Sequence, residues 1–331
     1  MDAAVEILCD HAPGESRAVA LDAKGRAVDV AVARPACAEP DQVLEGRVSA
    51  RAPALAGAFV AWPGGSGFLP DSAGARGVSE GARLRLRVVR AAQGGKGPRL
   101  AATDSAPAPA PDAAARLRSL WPEAALLPMD ERGEQVLAAL AEEAAPIPGG
   151  GLLRFAATPA LVAVDVDLGS RAGAGGDSAR VHEAANRAAI HELARQLRLR
   201  HLGGGIVVDL AGLSPRRRAA LGTDFVACLA DDPLQPRFLG FTALGLAEIT
   251  RPRRHAPLHE LWRGPHHAAL AAARAWARSP DPHRLHLTAS PTVVAALTAD
   301  SAAMLGLRDA LGGAPQIAVD PALAGHGWRL G

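Results

Sequence analysis

Apolar and polar residues alternate with a period of two through much of the first hundred positions. Within residues 1–36, AVEILCD, SRAVALD and AVDVAVARP are short β-type runs between turn signals at His11–Glu15 and Ala23–Arg26, as expected of an antiparallel hairpin. Residues 43–103 continue the style in VLEGRVSARAP, GAFVAWP, GFLP, RLRLRVVRAA and PRLAAT. Five short strands broken by Gly and Pro predict a small β-barrel. The segment SAPAPAPDAAA, residues 105–115, alternates Ala and Pro and favours an extended linker.

The period then changes. Residues 112–145 read as helix (AAARLRSLW, GEQVLAALAEEAA), and Pro146–Gly151 stop it. LLRFAATPALVAVDVD predicts a strand pair, followed by the glycine-rich loop GSRAGAGGDS. That loop lacks the GK[ST] of a phosphate-binding P-loop, so its expected job is flexible access to a site. Asp177 or Ser178 can cap the helix ARVHEAANRAAIHELARQLRLR, glycines 203–205 end it, and GIVVDL follows as a buried strand. Strand, helix and strand make a βαβ unit with a parallel sheet. RFLGFTALGLAEIT adds β structure, and from residue 264 onwards a helix, LHLTAS, a helix near 291–310 and QIAVD make a small α/β unit. The chain has no internal repeat.

Composition narrows the class without naming a function. The chain has 331 residues, 49% hydrophobic and 21% charged, with no Tyr and 3% aromatics, which suits several cored units. A net charge of +2 is too small to identify a nucleic-acid binder by itself. Cys9, Cys37 and Cys228 form no CxxC pair, so neither a disulfide framework nor a structural zinc site is expected. The acidic start MDAAVEILCDH argues against a signal peptide, and no apolar run approaches the ~18 residues of a membrane span. The expectation is a soluble protein of a reducing cytoplasm, with no membrane partner.

Candidate chemistry begins at LVAVDVDLGS, residues 161–170, where two aspartates interrupt a buried strand. Asp165 and Asp209 fall near the carboxyl ends of the two strands of the βαβ unit, the edge where open parallel sheets bind ligands. Asp167, two residues on, shares the face of Asp165. Three converging carboxylates repel unless a cation neutralises them, and oxygen-only ligands favour Mg²⁺ or Mn²⁺ over zinc. The competing reading is structural, with each Asp a turn residue or half of an ion pair. On the intervening helix, Arg187, His191, Arg195 and Arg198 recur on one face opposite Ile190, Leu193 and Leu197. Such cations suit a polyanionic substrate, or are simply solvated. In the barrel region Phe59 and Phe68 could stack on bases, with Lys96 and Arg99 on the backbone, or the rings could fill the barrel core.

Together these motifs resemble the bacterial ribonuclease E/G family of endoribonucleases. The matching segments, in family order, are LEGRVSARAPALAGAFVAWPGGSGFLP (44–70), GGKGPRLAAT (94–103), PALVAVDVDLGS (159–170), NRAAIHELARQLRLRHLGGGIVVDL (186–210) and LGLAEITRPR (244–253). The resemblance implies an α/β and β multidomain fold. Residues 1–36 would begin a ribonuclease H-like subdomain, 37–103 form an OB-type RNA-binding barrel, and 104–150 supply a linker and helices completing the first subdomain. A DNase I-like catalytic domain (151–262) and a small C-terminal domain (263–331) would follow. It also implies that Asp165 and Asp209 bind metal, that Asp167 is a third polar site position, and that Asn186 is an active-site helix Asn. Phe59, Phe68 and Lys96 would contact RNA.

Two departures stand out. The family's 5′-phosphate sensor, roughly ninety residues between barrel and catalytic domain, is replaced by the short 104–150 segment. Where a zinc-bridging CPxC pair is expected, the chain has RHAPLHELWRGPHH, with His255, His259, His266 and His267. No structural zinc is therefore expected, and the chain would be a monomer or a homo-oligomer not linked through zinc. The leading expectation is a Mg²⁺-dependent endoribonuclease cleaving single-stranded RNA to 5′-phosphate and 3′-hydroxyl ends, without 5′-monophosphate sensing. In it Asp165 and Asp209 hold the metal, Asp167 and Asn186 orient the water or the scissile phosphate, and Arg195 and Arg198 contact phosphates. A non-catalytic RNA-binding or ribosome-associated protein, and a DNA nuclease, are the alternatives.

Overall fold

The computed structural model describes residues 3–169 and 178–331. Strands β1 (Ala4–Ala12), β2 (Glu15–Asp22) and β3 (Ala27–Ala33) form an antiparallel meander. The chain then enters a closed barrel of β4 (Val43–Ala52), β5 (Gly57–Trp62), β6 (Gly65–Pro70), β7 (Arg83–Arg90) and β8 (Arg99–Ala102), ordered β4-β5-β6-β8-β7. Alternation explains the closure. Val48, Val60, Leu69, Leu86, Val88 and Leu100 fill the interior while their neighbours along each strand face out.

The Ala/Pro segment is less free than its composition suggests. Val43 and Ala108 exchange backbone hydrogen bonds of 3.0 and 2.9 Å, which pin it to the first barrel strand. Asp112 then caps α1 (Ala113–Leu120) by accepting from the Ala115 amide at 2.7 Å. β9 (Ala125–Pro128) joins the first sheet parallel to β1, giving the order β3-β2-β1-β9, and α2 (Glu131–Ala141) follows. Ala18, Ala20 and Ala31 pack on Leu117 of α1, whereas Val19, Leu21 and Val30 pack on Leu137 and Leu140 of α2. Both faces are covered, which is why β2 and β3 are buried throughout.

The second sheet carries the candidate site. It comprises β10 (Ala144–Pro146), β11 (Leu152–Ala157), β12 (Leu161–Asp167), β13 (Gly204–Asp209), β14 (Arg237–Phe241) and β15 (Ala247–Arg251), ordered β10-β11-β12-β13-β15-β14. β12 and β13 run parallel, joined by the helix α3 (Ser178–Leu199) as the βαβ pattern predicts. Two shorter helices, α4 (Pro215–Ala220) and α5 (Gly222–Leu229), follow β13. Val162, Val164, Val166, Ile206 and Val208 pack against Ile190, Leu193 and Leu197 of α3 and Phe225 of α5. Each fully buried aliphatic side chain of that kind contributes roughly 1.5–3 kcal/mol. The expected role of the glycine-rich loop, and the capping of α3 by Asp177 or Ser178, fall outside the residues described.

The short α6 (Leu258–Leu261) packs on the first sheet, and the C-terminal unit contains α7 (Gly264–Ala277), β16 (Leu287–Ala289), α8 (Pro291–Ala299), α9 (Ser301–Leu311), β17 (Ile317–Val319) and β18 (Trp328–Leu330). The single helix expected near 291–310 is in fact two, because Asp300 leaves helical geometry and caps α9 through the Ala303 amide at 2.9 Å. Ion pairs hold α7 to the first sheet: Arg278 reaches Asp10 at 2.8 Å and Glu134 at 3.0 Å, and Arg274 reaches Glu15. Among the described residues no helix is long and apolar enough to cross a membrane.

Candidate active site

Asp165 and Asp209 are direct register partners on the parallel strands β12 and β13, whose backbones lie about 4.8 Å apart. The valines and isoleucine between them face α3, so strict alternation sends both carboxylates to the opposite, open face, where they are exposed. Among the described residues neither carboxylate has a hydrogen-bond or ion-pair partner. Two like charges in register on adjacent strands destabilise the fold. The cation in register beside Asp165 is Arg154 of β11, and its hydrogen bond goes to Asp167 instead.

Asp167 shares the face but not the isolation. Its Oδ2 accepts from Arg154 Nη2 at 3.2 Å and its Oδ1 from the Gly169 amide at 2.9 Å. The Gly169 amide and the Arg154 guanidinium hold its carboxyl below the usual aspartate value. The expectation of three mutually repelling carboxylates is therefore corrected: one of the three is neutralised from β11. Among the described residues no group of three or more His, Cys, Asp and Glu side chains is placed to hold an ion. The donor set that remains, two bare carboxylates, still suits Mg²⁺, which commonly takes one or two carboxylates and keeps water elsewhere.

Asn186 does not face this site. It is fully buried, its Nδ2 donating to the carbonyls of His182 (2.7 Å) and Ala211 (2.9 Å) and its Oδ1 accepting from the Ala211 amide (3.2 Å). Every polar atom of the amide is spent on backbone. Asn186 staples α3 to the loop that leaves Asp209, so its expected contact with water or phosphate is corrected to a positioning role.

His182 is a residue that the sequence did not single out. Its Nδ1 lies 3.2 Å from the Gly212 carbonyl, which requires the proton there, and its Nε2 is buried with no partner. The ring borders a cleft of about 280 Å³ lined also by Asp165, Asp167, Ala211 and Gly212. Gly212 sits at φ 63°, and a Cβ there would meet the imidazole at 2.6 Å. The glycine admits the ring. Glu248 of β15, the register partner of Val207, adds another carboxylate to the open face. Glu248 does not line the cleft, and His182 could not be found by spacing because it reaches the site through tertiary pairing.

The basic face of α3 is exposed at Arg187 and His191 but turns inward at its C-terminal end. Arg195 Nη1 donates to the Ala27 carbonyl at 2.8 Å, and its other nitrogens bind the buried Glu192. Arg198, 5% exposed, donates from Nε to the Val28 carbonyl at 2.8 Å and lies 3.6 Å from Asp29. Both expected phosphate contacts are corrected. They bind the helix to β3, whose backbone carbonyls need donors where the two sheets meet.

The barrel residues do converge. Phe59 pairs with Phe68 across β5 and β6, and Phe68 with Arg99 across β6 and β8, forming one row on the outer surface. The two rings meet edge to face with centroids 5.6 Å apart, and Phe59 is 42% exposed. Phe68 lies over Gly57, where a Cβ would meet the ring at 2.4 Å. Lys96 is exposed in the turn before β8. The histidines of the 254–267 stretch have separate surroundings: His255 against Arg116 and His201, His266 on Asp300, and His267 with Nδ1 buried and unpartnered.

Comparison with known proteins assigns the segment that holds these aspartates. Residues 110–254 match the model of the ribonuclease E/G family. That segment is similar to the ribonuclease E/G family. Ribonuclease E of Synechocystis is 37% identical over 123 residues, 36% of this chain and 18% of that protein. Ribonuclease E of Escherichia coli K12 is 35% identical over 115 residues, and ribonuclease G of the same organism 34% over 114, each covering 34% of this chain. Those stretches take in 11% and 23% of the two proteins, so the likeness spans less than a quarter of any of the three. Within the matched ribonuclease E/G segment lie Asp165, Asp167, Asn186 and Asp209; the barrel precedes it.

Proposed function

We propose that this protein is a divalent-metal-dependent endoribonuclease that cleaves single-stranded RNA to 5′-phosphate and 3′-hydroxyl ends, acting in RNA processing or decay in the cytoplasm. The observation that carries the reading is the register pairing of Asp165 and Asp209, both bare, on the open face of a sheet within the segment similar to the ribonuclease E/G family. These two would hold Mg²⁺ or Mn²⁺, which when bound supplies charge neutralisation at the phosphate and a more acidic water. Asp167, locked to Arg154 and the Gly169 amide, fixes the end of β12 and sets the wall of the cleft. His182, with its proton held on Nδ1 by the Gly212 carbonyl, borders the same cleft. Asn186 keeps the loop behind Asp209 in place. The Phe59–Phe68 row offers the stacking surface and Arg99 and Lys96 the cations that a single strand needs.

Affinity and chemistry would thus sit on different units, and they can be tested separately. Phe59→Ala and Phe68→Ala should each weaken binding of single-stranded RNA by about 1–3 kcal/mol per stacked base, with melting temperature nearly unchanged for the exposed Phe59. A fall in melting temperature that matches the fall in affinity would instead make the rings structural.

Cleavage should be indifferent to the 5′ end. The 104–150 stretch is occupied in completing the first sheet through α1, β9 and α2. Of its three basic residues, Arg116 is bound to Glu39 at 3.1 Å and Arg132 to Glu6 and Asp130, each at 2.8 Å, which leaves the exposed Arg118 alone. A pocket that reads a terminal phosphate needs free, preorganised donors. One RNA sequence bearing a 5′-triphosphate, hydroxyl or monophosphate, incubated with and without Mg²⁺, tests both claims. Mg²⁺-dependent cleavage at rates within a few-fold is expected. A tenfold preference for the monophosphate refutes the indifference, and binding without cleavage at any Mg²⁺ concentration favours a non-catalytic RNA-binding role.

A further inference from the structure

The arginines of this chain divide into two populations. Those at the junctions between units are committed to carboxylates or buried carbonyls, as Arg17, Arg34, Arg195, Arg198 and Arg251 illustrate. On the barrel, Arg51 is likewise paired with Asp71 at 3.1 Å, but the arginines along β7 have no carboxylate partner among the described residues. Between Val43 and Thr103 the sequence has nine basic residues against three acidic ones, net +6, in a chain whose total is +2. On β7 the alternation RLRLRVVR sends Leu86 and Val88 inward and Arg83, Arg85 and Arg87 outward, all three exposed. Among the described residues Arg83 and Arg87 have no hydrogen-bond or ion-pair partner, and Arg85 and Arg47 donate only to the carbonyls of Asp104 and Gly81.

This wall adjoins the aromatic row. Arg99, next to Phe68 on β8, is the register partner of Arg90 on β7. Arg90 Nε is buried and unpartnered, and burial with Arg99 and Arg253 nearby lowers its pKa. Past the register shift between Val88 and Arg90, the outward positions of β7 are Arg87, Arg85 and Arg83, about 6.8 Å apart along the strand. Arg47 stands opposite Arg83, and Glu45, opposite Arg85, is the only carboxylate in register with those outward positions among the described residues. Unrelieved positive charge on an exposed wall requires a polyanion or remains solvated, and continuity with a stacking surface selects between the two.

We infer that the barrel binds a longer stretch of RNA than its aromatic row can hold. The strand crosses Arg99 and Arg90 and continues with its phosphates along Arg87, Arg85 and Arg83. The inference rests on the barrel reading given above. It extends that reading by a backbone-only segment that has no ring to stack on and hence no base preference. The partner is the sugar–phosphate chain of RNA flanking the segment on the platform.

Affinity as a function of length and salt tests it. Two unlabelled sequences are compared by titration, one of about four nucleotides and one of about twelve, the span of barrel-type sites. The Arg83→Gln/Arg87→Gln double variant should bind the short RNA as wild type does and the long RNA about tenfold more weakly. Its slope of log affinity against log salt on the long RNA should fall by about 1.4, at ~0.7 per lost single-strand phosphate contact. Arg76→Gln, an exposed barrel arginine off this path, should leave the slope unchanged, and Phe59→Ala should weaken both lengths. Unchanged long-RNA affinity and slope in the double variant, with Phe59→Ala still defective, would overturn the extended path and spare the platform. Loss of Phe59→Ala sensitivity would overturn the platform reading itself. An equal loss on both lengths in the double variant would show the arginines acting as part of a compact site, and would also overturn the path.

Discussion

Asp209→Asn should reduce RNA cleavage to background while leaving RNA affinity within a few-fold. The substitution removes one of the two bare carboxylates that face each other across β12 and β13, and a neutral amide cannot hold a hard dication with Asp165 alone. Binding survives because the residues assigned to it lie on the barrel. A second readout does not depend on turnover. In metal-free buffer the variant should melt at the same temperature as wild type or higher, because the charge removed repels its register partner. Wild type should gain stability on adding Mg²⁺, as any ligand of the folded state confers, and the variant should lose most of that gain. Wild-type turnover in the variant would remove Asp209 from the metal site. An undiminished Mg²⁺-induced rise in melting temperature would do the same even if turnover fell for another reason.

The parts of this molecule legible in the sequence are those whose signal is local. The alternation around Val48, Val60, Leu86 and Val88 announces a barrel because each strand carries its own inside and outside. The βαβ unit was legible for the same reason, and its two aspartates fall in register because the strands run parallel with matched ends. The basic face of α3 misled because periodicity shows that residues share a face but not what covers it. Arg195 and Arg198 look identical to solvated arginines until the β3 carbonyls accept their hydrogen bonds. His182 was invisible for the complementary reason, since it joins the site only through a partner distant in sequence, Gly212. The Ala/Pro stretch combines both effects: its composition favours extension correctly, and one pair of hydrogen bonds to Val43 fixes where it extends.

Asn186 offers the sharpest contrast between the role implied by the family resemblance and the role its geometry supports. Its amide makes three hydrogen bonds to backbone while fully buried. Asn186→Ala would strand the Ala211 amide and two carbonyls away from water and open a small void, at a combined cost of about 2–4 kcal/mol. The loop behind Asp209 would loosen, and turnover should fall with it. Asn186→Asp discriminates further. A carboxylate can still accept from the Ala211 amide, but it has no proton to give the carbonyls of His182 and Ala211, and it places a charge against both. The variant should therefore be at least as unstable as Asn186→Ala, with reduced cleavage and weaker stabilisation by Mg²⁺. If Asn186 instead reached the metal, Asp would be the better ligand of the two, and Mg²⁺ would stabilise the Asp variant as much as wild type or more. Melting curves of both variants with and without Mg²⁺, beside initial cleavage rates, separate these outcomes. Near-wild-type stability of Asn186→Asp together with retained or enhanced Mg²⁺ stabilisation would refute the staple and return this side chain to the catalytic centre.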